Sequence, residues 1–324
     1  MSKPVIVTGA AGFIGRNTVH ELNRRGYQDM ILVDALGSDD KWRNLRGLNF
    51  EDLLAPQAFL ARLESGKFQD AEAIIHLGAC SATTEHDADY LLENNYRYSR
   101  QLCEFALRYG IRLIYASSAA TYGDGSLGYS DDDEVTVRLR PLNMYGYSKH
   151  MVDLWALRSG ALKQVVGLKY FNVFGPFEDH KGEMKSVVAK AYRQIRETGK
   201  VQLFKSYNPR FGHGEQMRDF IYVRDAVDVT LSFLEDRETG GLFNCGTGKA
   251  RTWKDLATAV FKAMGAIVNI ELIEMPENLK GKYQYFTEAR MEKLKRANHR
   301  LPAYSLEDAV IDYVEGYLKK AEQE

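Results

Sequence analysis

The sequence predicts an α/β protein built on a doubly wound parallel sheet, with a smaller α/β lobe towards the C-terminus. Three observations lead to this prediction. Short apolar runs alternate with helical stretches through the first half, a glycine-rich segment joins the first run to the first helix, and polar loops dominate beyond Gly175. Continuous apolar strands separated by helices are typical of a parallel sheet that is covered on both faces.

The apolar runs and the helical periodicity divide the chain into elements. We expect strands at residues 5–8, 30–33, 73–77, 113–116 and 165–168. We expect helices at residues 15–25, 88–109, 149–159, 186–197, 223–235, 253–264 and 306–319. The predicted division is a cofactor domain over residues 1–171, to which residues 219–246 return, and a substrate lobe over residues 172–324.

Composition excludes several classes of protein. The 324 residues include 45% hydrophobic and 27% charged residues with a net charge of -1, so we expect no nucleic-acid partner and no attachment to an anionic membrane surface. The three cysteines are far apart and the histidines lack ligand spacing, so we expect neither a disulfide framework nor a metal site. The N-terminus enters a strand at once and no apolar run reaches the length of a membrane span, which predicts a soluble cytoplasmic protein.

A glycine loop follows the first strand. Gly9, Gly12 and Gly15 allow a tight turn, a close approach of backbone N–H groups to a pyrophosphate, and close packing of helix on strand. Asp34 ends the second strand, where a carboxylate binds the ribose hydroxyls of a dinucleotide. Together they predict a Rossmann-type cofactor site, although glycines in a loop can also serve only to relieve steric crowding.

A second motif predicts catalytic chemistry. Tyr145 and Lys149 lie four residues apart at the start of a helix, so they share one helix face. A nearby ammonium and a cationic nicotinamide both favour the phenolate, so we expect the pKa of Tyr145 to fall towards the working pH. Ser118, at the end of an earlier strand, can hold the substrate oxygen, whereas Tyr147 lacks the spacing to Lys149.

The segments TGAAGFIG, ASSAATYG and YGYSK resemble those of the extended short-chain dehydrogenase/reductases. The segments HLGACSATTE, LLENNYRYS, PLNMYGYSK, YFNVFGPFEDHKGEM and MRDFIYVRD further resemble the ADP-L-glycero-D-manno-heptose 6-epimerases, along most of the chain. The resemblance implies an isomerase that interconverts ADP-D-glycero- and ADP-L-glycero-D-manno-heptose at C6 through a 6-keto intermediate, for heptose supply to the lipopolysaccharide core. It implies a homo-oligomer, with a pentamer as the expected form.

The same resemblance implies residue roles. Tyr145 and Lys181 are the two expected acid/base residues, with Lys149 on the cofactor and Ser118 on the substrate. The residues expected to bind the cofactor are Gly9, Gly12, Phe13, Ile14, Gly15, Asp34, Lys41, Leu77, Gly78, Ala79, Cys80, Ser81, Asn94, Lys149, Val173 and Lys181. The residues expected to bind the substrate are Ser118, Asn172, Glu183, Lys190, Phe204, Arg218 and Tyr283.

Several alternatives remain open at this point. Asp34 alone favours NAD, because an acid repels a 2′-phosphate, whereas the resemblance and the nearby Lys41 and Arg43 favour NADP. Arg218 can clamp a diphosphate or pair with a neighbouring aspartate. A different sugar-nucleotide 4-epimerase or a 4,6-dehydratase has the same fold. The dehydratase is disfavoured because residues 119–122 read Ala-Ala-Thr-Tyr where that chemistry needs an Asp-Glu pair. A non-enzymatic regulator that senses nicotinamide cofactor need not keep the Tyr/Lys pair.

Overall fold

The structure, a computed structural model, describes residues 3–280 and 283–321, apart from the side chain of residue 278. Its strands are β1 (Val5–Thr8), β2 (Met30–Val33), β3 (Asp52–Leu54), β4 (Ala73–His76), β5 (Arg112–Ser118), β6 (Val166–Tyr170), β7 (Asn172–Phe174), β8 (Val201–Phe204), β9 (Met217–Tyr222), β10 (Gly241–Cys245), β11 (Ala250–Thr252) and β12 (Ile270–Ile273).

The α-helices are α1 (Phe13–Arg24), α2 (Pro56–Glu64), α3 (Ala88–Leu91), α4 (Tyr98–Tyr109), α5 (Asp133–Thr136), α6 (Met144–Arg158), α7 (Val187–Thr198), α8 (Val223–Glu235), α9 (Trp253–Met264), α10 (Glu277–Lys280), α11 (Glu292–Arg296), α12 (Leu306–Tyr313) and α13 (Lys319–Ala321). Short 3₁₀ segments occur at Asp40–Leu45, Ala119–Tyr122, Ala161–Lys163 and Asp179–Met184. Within the described ranges, no helix is long and apolar enough to cross a membrane.

The main sheet confirms the predicted fold class. Its order is β10-β6-β5-β4-β1-β2-β3, and every neighbouring pair is parallel. The carboxyl ends of all these strands therefore meet at one edge, and the strand order reverses between β1 and β4. Ligands of open α/β sheets bind outside the carboxyl ends at such a reversal.

The sheet is buried on both faces, which explains why its strands read as continuous apolar runs. In β1, Val5 and Val7 pack in one core cluster with residues of α1 and α8, while Ile6 packs in a second cluster with residues of α2, α4 and α6. Alternate residues of a strand point to opposite faces, so each strand supplies both layers. These three residues are at most 1% exposed.

The second lobe has smaller sheets. One sheet has the order β11-β9-β7, and another pairs β12 with β8. After β9 and α8 the chain returns to the main sheet, where β10 pairs with β6. The lobes are thus joined by more than one crossing of the chain, and the division at residue 171 stays a prediction.

Two predicted helices contain a π-helical segment. The helix expected over residues 306–319 forms as α12, a π-helical segment at Val314–Leu318, and α13. The helix expected over residues 88–109 forms as α3, a π-helical segment at Leu92–Arg97, and α4 in succession. Asn95 lies in this π segment with no exposure. Its side chain bonds the backbone of Cys80 and the Ser148 hydroxyl, and π-helical turns often occur where a side chain is directed at a functional site.

The glycine loop between β1 and α1 is held by direct backbone contact. A Cβ atom on Gly9 would lie 2.6 Å from the Gly78 nitrogen, and one on Gly15 would lie 1.9 Å from the Gly9 carbonyl oxygen. Gly9 has a φ of +68° and its N–H donates to the Val33 carbonyl at 2.7 Å. The approach of α1 to β1 and β4 therefore requires glycine at both positions.

We predict that Gly15→Ala lowers the free energy of unfolding by about 1–3 kcal/mol, because the added methyl group overlaps a backbone oxygen that cannot move independently. Gly316→Ala is the matched control. That glycine also lies in a helical segment, with no neighbour closer than 3.7 Å to an added Cβ, so its stability should stay level or rise by up to about 1 kcal/mol. Urea unfolding measures both. Equal stability of Gly15→Ala and the wild type would contradict the close approach.

Candidate active site

A cavity of about 460 Å³ lies at the carboxyl edge of the main sheet, between the two lobes. The structure brings many of the predicted site residues to its wall. Those residues are Phe13, Ile14, Leu77, Ala79, Ser81, Ser118, Tyr145, Lys149, Asn172, Val173 and Lys181. Residues far apart in the sequence thus line one continuous space.

The cofactor end of this cavity is formed by the start of α1. No side chain caps α1, whose N-cap is Gly12, and the next two residues, Phe13 and Ile14, line the cavity. An uncapped helix N-terminus presents N–H groups and positive potential to an anion. The glycine loop leaves no room for side chains between this terminus and the sheet, so it fits the pyrophosphate of a dinucleotide.

Asp34 lies at the end of β2 beside the glycine loop. One oxygen of its carboxylate accepts from the Ala11 N–H at 2.8 Å, and the other pairs with Lys41 Nζ at 2.5 Å. The carboxylate is only 5% exposed and the lysine 22% exposed. Lys41 therefore offsets the charge that would repel a 2′-phosphate from this position.

Where α6 begins, Lys149 is buried and Tyr145 is half-buried. Burial lowers the pKa of Lys149 to about 8 while Asp153 opposes this, and the ammonium donates to the Ala116 carbonyl at 2.8 Å. Burial raises the pKa of Tyr145, and its hydrogen bond with Ser118 opposes this rise. Desolvation of the phenolate dominates in the protein alone, where Lys149 donates to a backbone oxygen. The expected fall in the pKa of Tyr145 depends also on the charge of a bound nicotinamide, so it stays a prediction.

Lys181 reaches the cavity from a loop between β7 and α7. It lies in the 3₁₀ segment Asp179–Met184, with its Nζ 5.1 Å from the ring centre of Phe13. Burial lowers the pKa of Lys181 and the neighbouring Glu178 raises it. A lysine with a lowered pKa can exchange a proton near neutral pH more readily than a solvated one.

The Lys181 loop is anchored at Glu178, which is fully buried. Its carboxylate accepts from the N–H and the hydroxyl of Ser186, each at 2.5 Å, and from the Tyr313 hydroxyl at 2.9 Å. Asn44 further bonds both the Ala11 carbonyl and His180 Nδ1. The loop is thereby fixed to the start of α7, to the end of α12 and to the glycine loop.

Other predicted substrate residues lie outside the cavity wall. Arg218 is buried, with its guanidinium carbon 5.2 Å from the Tyr283 ring centre and its Nη1 on the Met217 carbonyl. Among the described residues no carboxylate pairs with it, so the alternative of a structural ion pair with a neighbouring aspartate is wrong. Glu183 and Lys190 pair with each other at 3.4 Å on the surface.

Three other predicted residues do not line the cavity either. Phe204 ends β8, where its carbonyl accepts from the Gly214 N–H. Cys80 and Asn94 both bond the buried Asn95. Asn95 was not predicted from the sequence, although a polar residue on the helix face that carries Leu91 and Leu102 was an available signal.

Several residues of the cavity wall were also missed. Four of them are Thr83, Lys185, Gln284 and Trp253. Each lies in a loop or at the first position of a helix, where hydrophobic periodicity carries no information on orientation. Trp253 donates from Nε1 to the Tyr283 hydroxyl at 2.9 Å. Through the Tyr283 ring this bond connects the cavity wall to Arg218.

Comparison with known proteins agrees with this geometry. Residues 5–246 match the NAD dependent epimerase/dehydratase family. The chain is similar to proteins named ADP-L-glycero-D-manno-heptose-6-epimerase from Nitratidesulfovibrio vulgaris, at 54% identity, and from Fusobacterium nucleatum, at 48% identity, each over 98% of both chains. It is also similar to the crystal structure of Helicobacter pylori ADP-L-glycero-D-manno-heptose-6-epimerase, with a TM-score of 0.81 and 25% identity over 97% of this chain and 96% of that one. The chain therefore belongs to the NAD dependent epimerase/dehydratase family, and within it to the ADP-L-glycero-D-manno-heptose-6-epimerases.

Proposed function

We propose that this protein interconverts ADP-D-glycero- and ADP-L-glycero-D-manno-heptose at C6 through a 6-keto intermediate, and so supplies heptose for the lipopolysaccharide core. The observation that carries the proposal is that Tyr145 and Lys181, two side chains able to exchange protons, line the same cavity from different elements. The names of the similar proteins supply the substrate.

Inversion at C6 constrains the acid/base groups. With a nicotinamide cofactor held by the glycine loop and Lys149, the hydrogen of C6 would leave with its electron pair and return to the other face of the carbonyl carbon. The ketone must turn between these events, so its oxygen points in a different direction afterwards. One proton carrier cannot easily serve both positions, whereas two carriers on different sides of the cavity can.

In this mechanism Tyr145 serves one orientation of the substrate and Lys181 the other. Ser118 bonds the substrate oxygen beside Tyr145, and Lys149 bonds the cofactor. The pKa of Tyr145 is raised by burial in the protein alone, so the positive charges of Lys149 and of an oxidised nicotinamide are needed to favour its phenolate. The lowered pKa of Lys181 suits it to accept a proton.

The sugar nucleotide occupies the second lobe in this proposal. Asn172 lines the cavity, and Arg218 contributes a buried guanidinium with no carboxylate partner among the described residues, which suits it to a diphosphate. Tyr283 holds Arg218 through its ring. We propose that Phe204, Glu183 and Lys190 also contact the substrate. Glu183 and Lys190 must first separate, because they pair with each other here.

A 4-epimerase acting on another sugar nucleotide is the second candidate, because the same fold and the same Tyr/Lys pair would serve it. A 4,6-dehydratase is disfavoured by the apolar residues at positions 119 and 120. A regulator that only senses the cofactor would not need Lys181 in the same cavity as Tyr145. We favour the 6-epimerase.

The wild-type protein should convert either ADP-heptose epimer into a mixture of both, followed at C6 by NMR. We predict that Tyr145→Phe and Lys181→Met each lower turnover at least about a hundredfold while still binding cofactor, because each removes one proton carrier. The two variants should fail from opposite epimers.

Tyr147→Phe and Lys163→Met are the matched controls, since both positions are exposed, and they should retain wild-type turnover. Wild-type turnover in Lys181→Met would leave a mechanism with tyrosine as the single proton carrier. No conversion of ADP-heptose by the wild type would refute the proposed substrate.

We further propose that the cofactor is NADP and that it stays bound, because a cofactor restored in each turnover need not leave. Nucleotide extracted from the purified protein should be NADP, and recovery of NAD alone would refute this. We predict that Lys41→Met weakens NADP binding about tenfold or more, because it removes a charge-assisted contact and leaves Asp34 unpaired. Lys67→Met, at an exposed position of the same domain, is the control that should bind NADP as the wild type does.

The last proposal concerns assembly. We propose a homo-oligomer, with the pentamer that the resemblance implies as its form. Tyr90 of α3 and Tyr147 of α6 are 45% and 48% exposed on helices that contact each other, and we propose that a second copy covers these two side chains. Light scattering should give a multiple of the mass of one chain. A monomer mass at working concentration would reject the proposal.

A further inference from the structure

A buried ion pair is bonded to Ser117, the residue before the proposed catalytic residue Ser118. Lys169 of β6 and Asp153 of α6 have no exposed side-chain surface, and Lys169 Nζ lies 2.7 Å from Asp153 Oδ2. Replacing a buried ion pair by apolar residues is often neutral or stabilising, so such a pair is weak evidence for a role in stability alone. Its position suggests another role.

Each partner bonds the end of β5, which carries Ser118. The Ser117 hydroxyl donates to Asp153 Oδ2 at 2.8 Å, and the Tyr115 hydroxyl donates to Asp153 Oδ1 at 3.0 Å. On the other side, Lys169 donates to the Thr121 hydroxyl at 2.9 Å, and that hydroxyl donates to the carbonyl of Ser118 at 2.8 Å. Both charged groups of the pair are therefore bonded to the segment around Ser118, Asp153 through Ser117 and Lys169 through Thr121.

The pair also shares α6 with Tyr145 and Lys149. Asp153 follows Lys149 by four residues, so the two side chains lie on one face of the helix. Lys149 Nζ donates to the carbonyl of Ala116, the residue before Ser117. One end of β5 is thus bonded by Lys149, Asp153 and, through Thr121, Lys169.

The charged and titratable groups around Lys149 come from several elements. Asp153 and the Cys80 thiol raise the pKa of Lys149 against its burial. His76 is neutral, because burial and Lys149 lower its pKa to about 3. Tyr145 is protonated in the protein alone. Asp153, which is paired with Lys169, is therefore the carboxylate that raises the pKa of Lys149.

We propose that Asp153 and Lys169 form a positioning pair, which holds Ser118 and Lys149 in place and balances the charge of Lys149. The proposal rests on the roles given above to Ser118 and Lys149. Neither residue of the pair lines the cavity, so both act through the residues that they hold. Loss of one charge should then change the protonation of Lys149, in a direction that depends on which partner is removed.

The test follows release of NADPH from the loaded protein into excess NADP⁺ by NADPH fluorescence between about pH 6 and pH 10. These limits lie about 2 units on either side of the pKa of Lys149, which burial lowers to about 8. Release should quicken as Lys149 loses its proton. Asp153→Asn should move the midpoint of this rise down by about 1 pH unit, and Lys169→Met should move it up, because Asp153 then acts on Lys149 without an opposing charge. Lys169→Arg, which keeps the charge, should keep the wild-type midpoint.

Shifts in the same direction, or no shift in folded single variants, would overturn the proposal. If a single variant does not fold, the double variant Asp153→Asn/Lys169→Met decides, because it leaves no unpaired buried charge. It should lower the midpoint by less than Asp153→Asn alone, because the downward and upward shifts of the two single variants oppose each other. Turnover should fall about tenfold or more through loss of the contact to Thr121. Full turnover in the double variant would overturn the positioning role. If the wild type fails to epimerise ADP-heptose, the proposed function falls, whereas the pH dependence of release still tests the pair.

Discussion

The direct contact of backbone with backbone at the glycine loop is the constraint on which the site depends. Gly9 touches the chain at Gly78, after β4, and Gly15 touches Gly9 itself. These contacts bring the start of α1 against the carboxyl edge of the sheet at the point where strand order reverses. Without them the uncapped helix terminus would stand away from the sheet, and the cavity would have no anion-binding end.

Contacts that run across the chain then attach the second half of the site to this frame. The loop with Lys181 is fixed by Glu178 to Ser186 and to Tyr313, near the C-terminus. Asn17 of α1 donates to the carbonyl of Pro176 at the start of the same loop. The last helices, although distant from the cavity, therefore help to decide where Lys181 lies.

The pKa values of the site residues are shifted by desolvation more than by ion pairing. Burial raises the pKa of Tyr145 and lowers the pKa of both Lys149 and Lys181. A neutral tyrosine and two lysines with lowered pKa form a site in which small changes of charge redistribute protons. Binding of a charged cofactor and of an anionic substrate is such a change, so the protonation of these side chains depends on what the cavity holds.

The fold class, the glycine loop and the Tyr145–Lys149 spacing could be predicted from the sequence, because each depends on local periodicity or on residues a few positions apart. Four features became visible only in the folded chain: Lys181 faces Phe13, Lys41 pairs with Asp34, Arg218 has no carboxylate partner among the described residues, and Glu183 pairs with Lys190. The raised pKa of Tyr145 in the protein alone is likewise a result of burial. Burial and contacts between distant segments arise from packing of the whole chain, and no short window of sequence contains them.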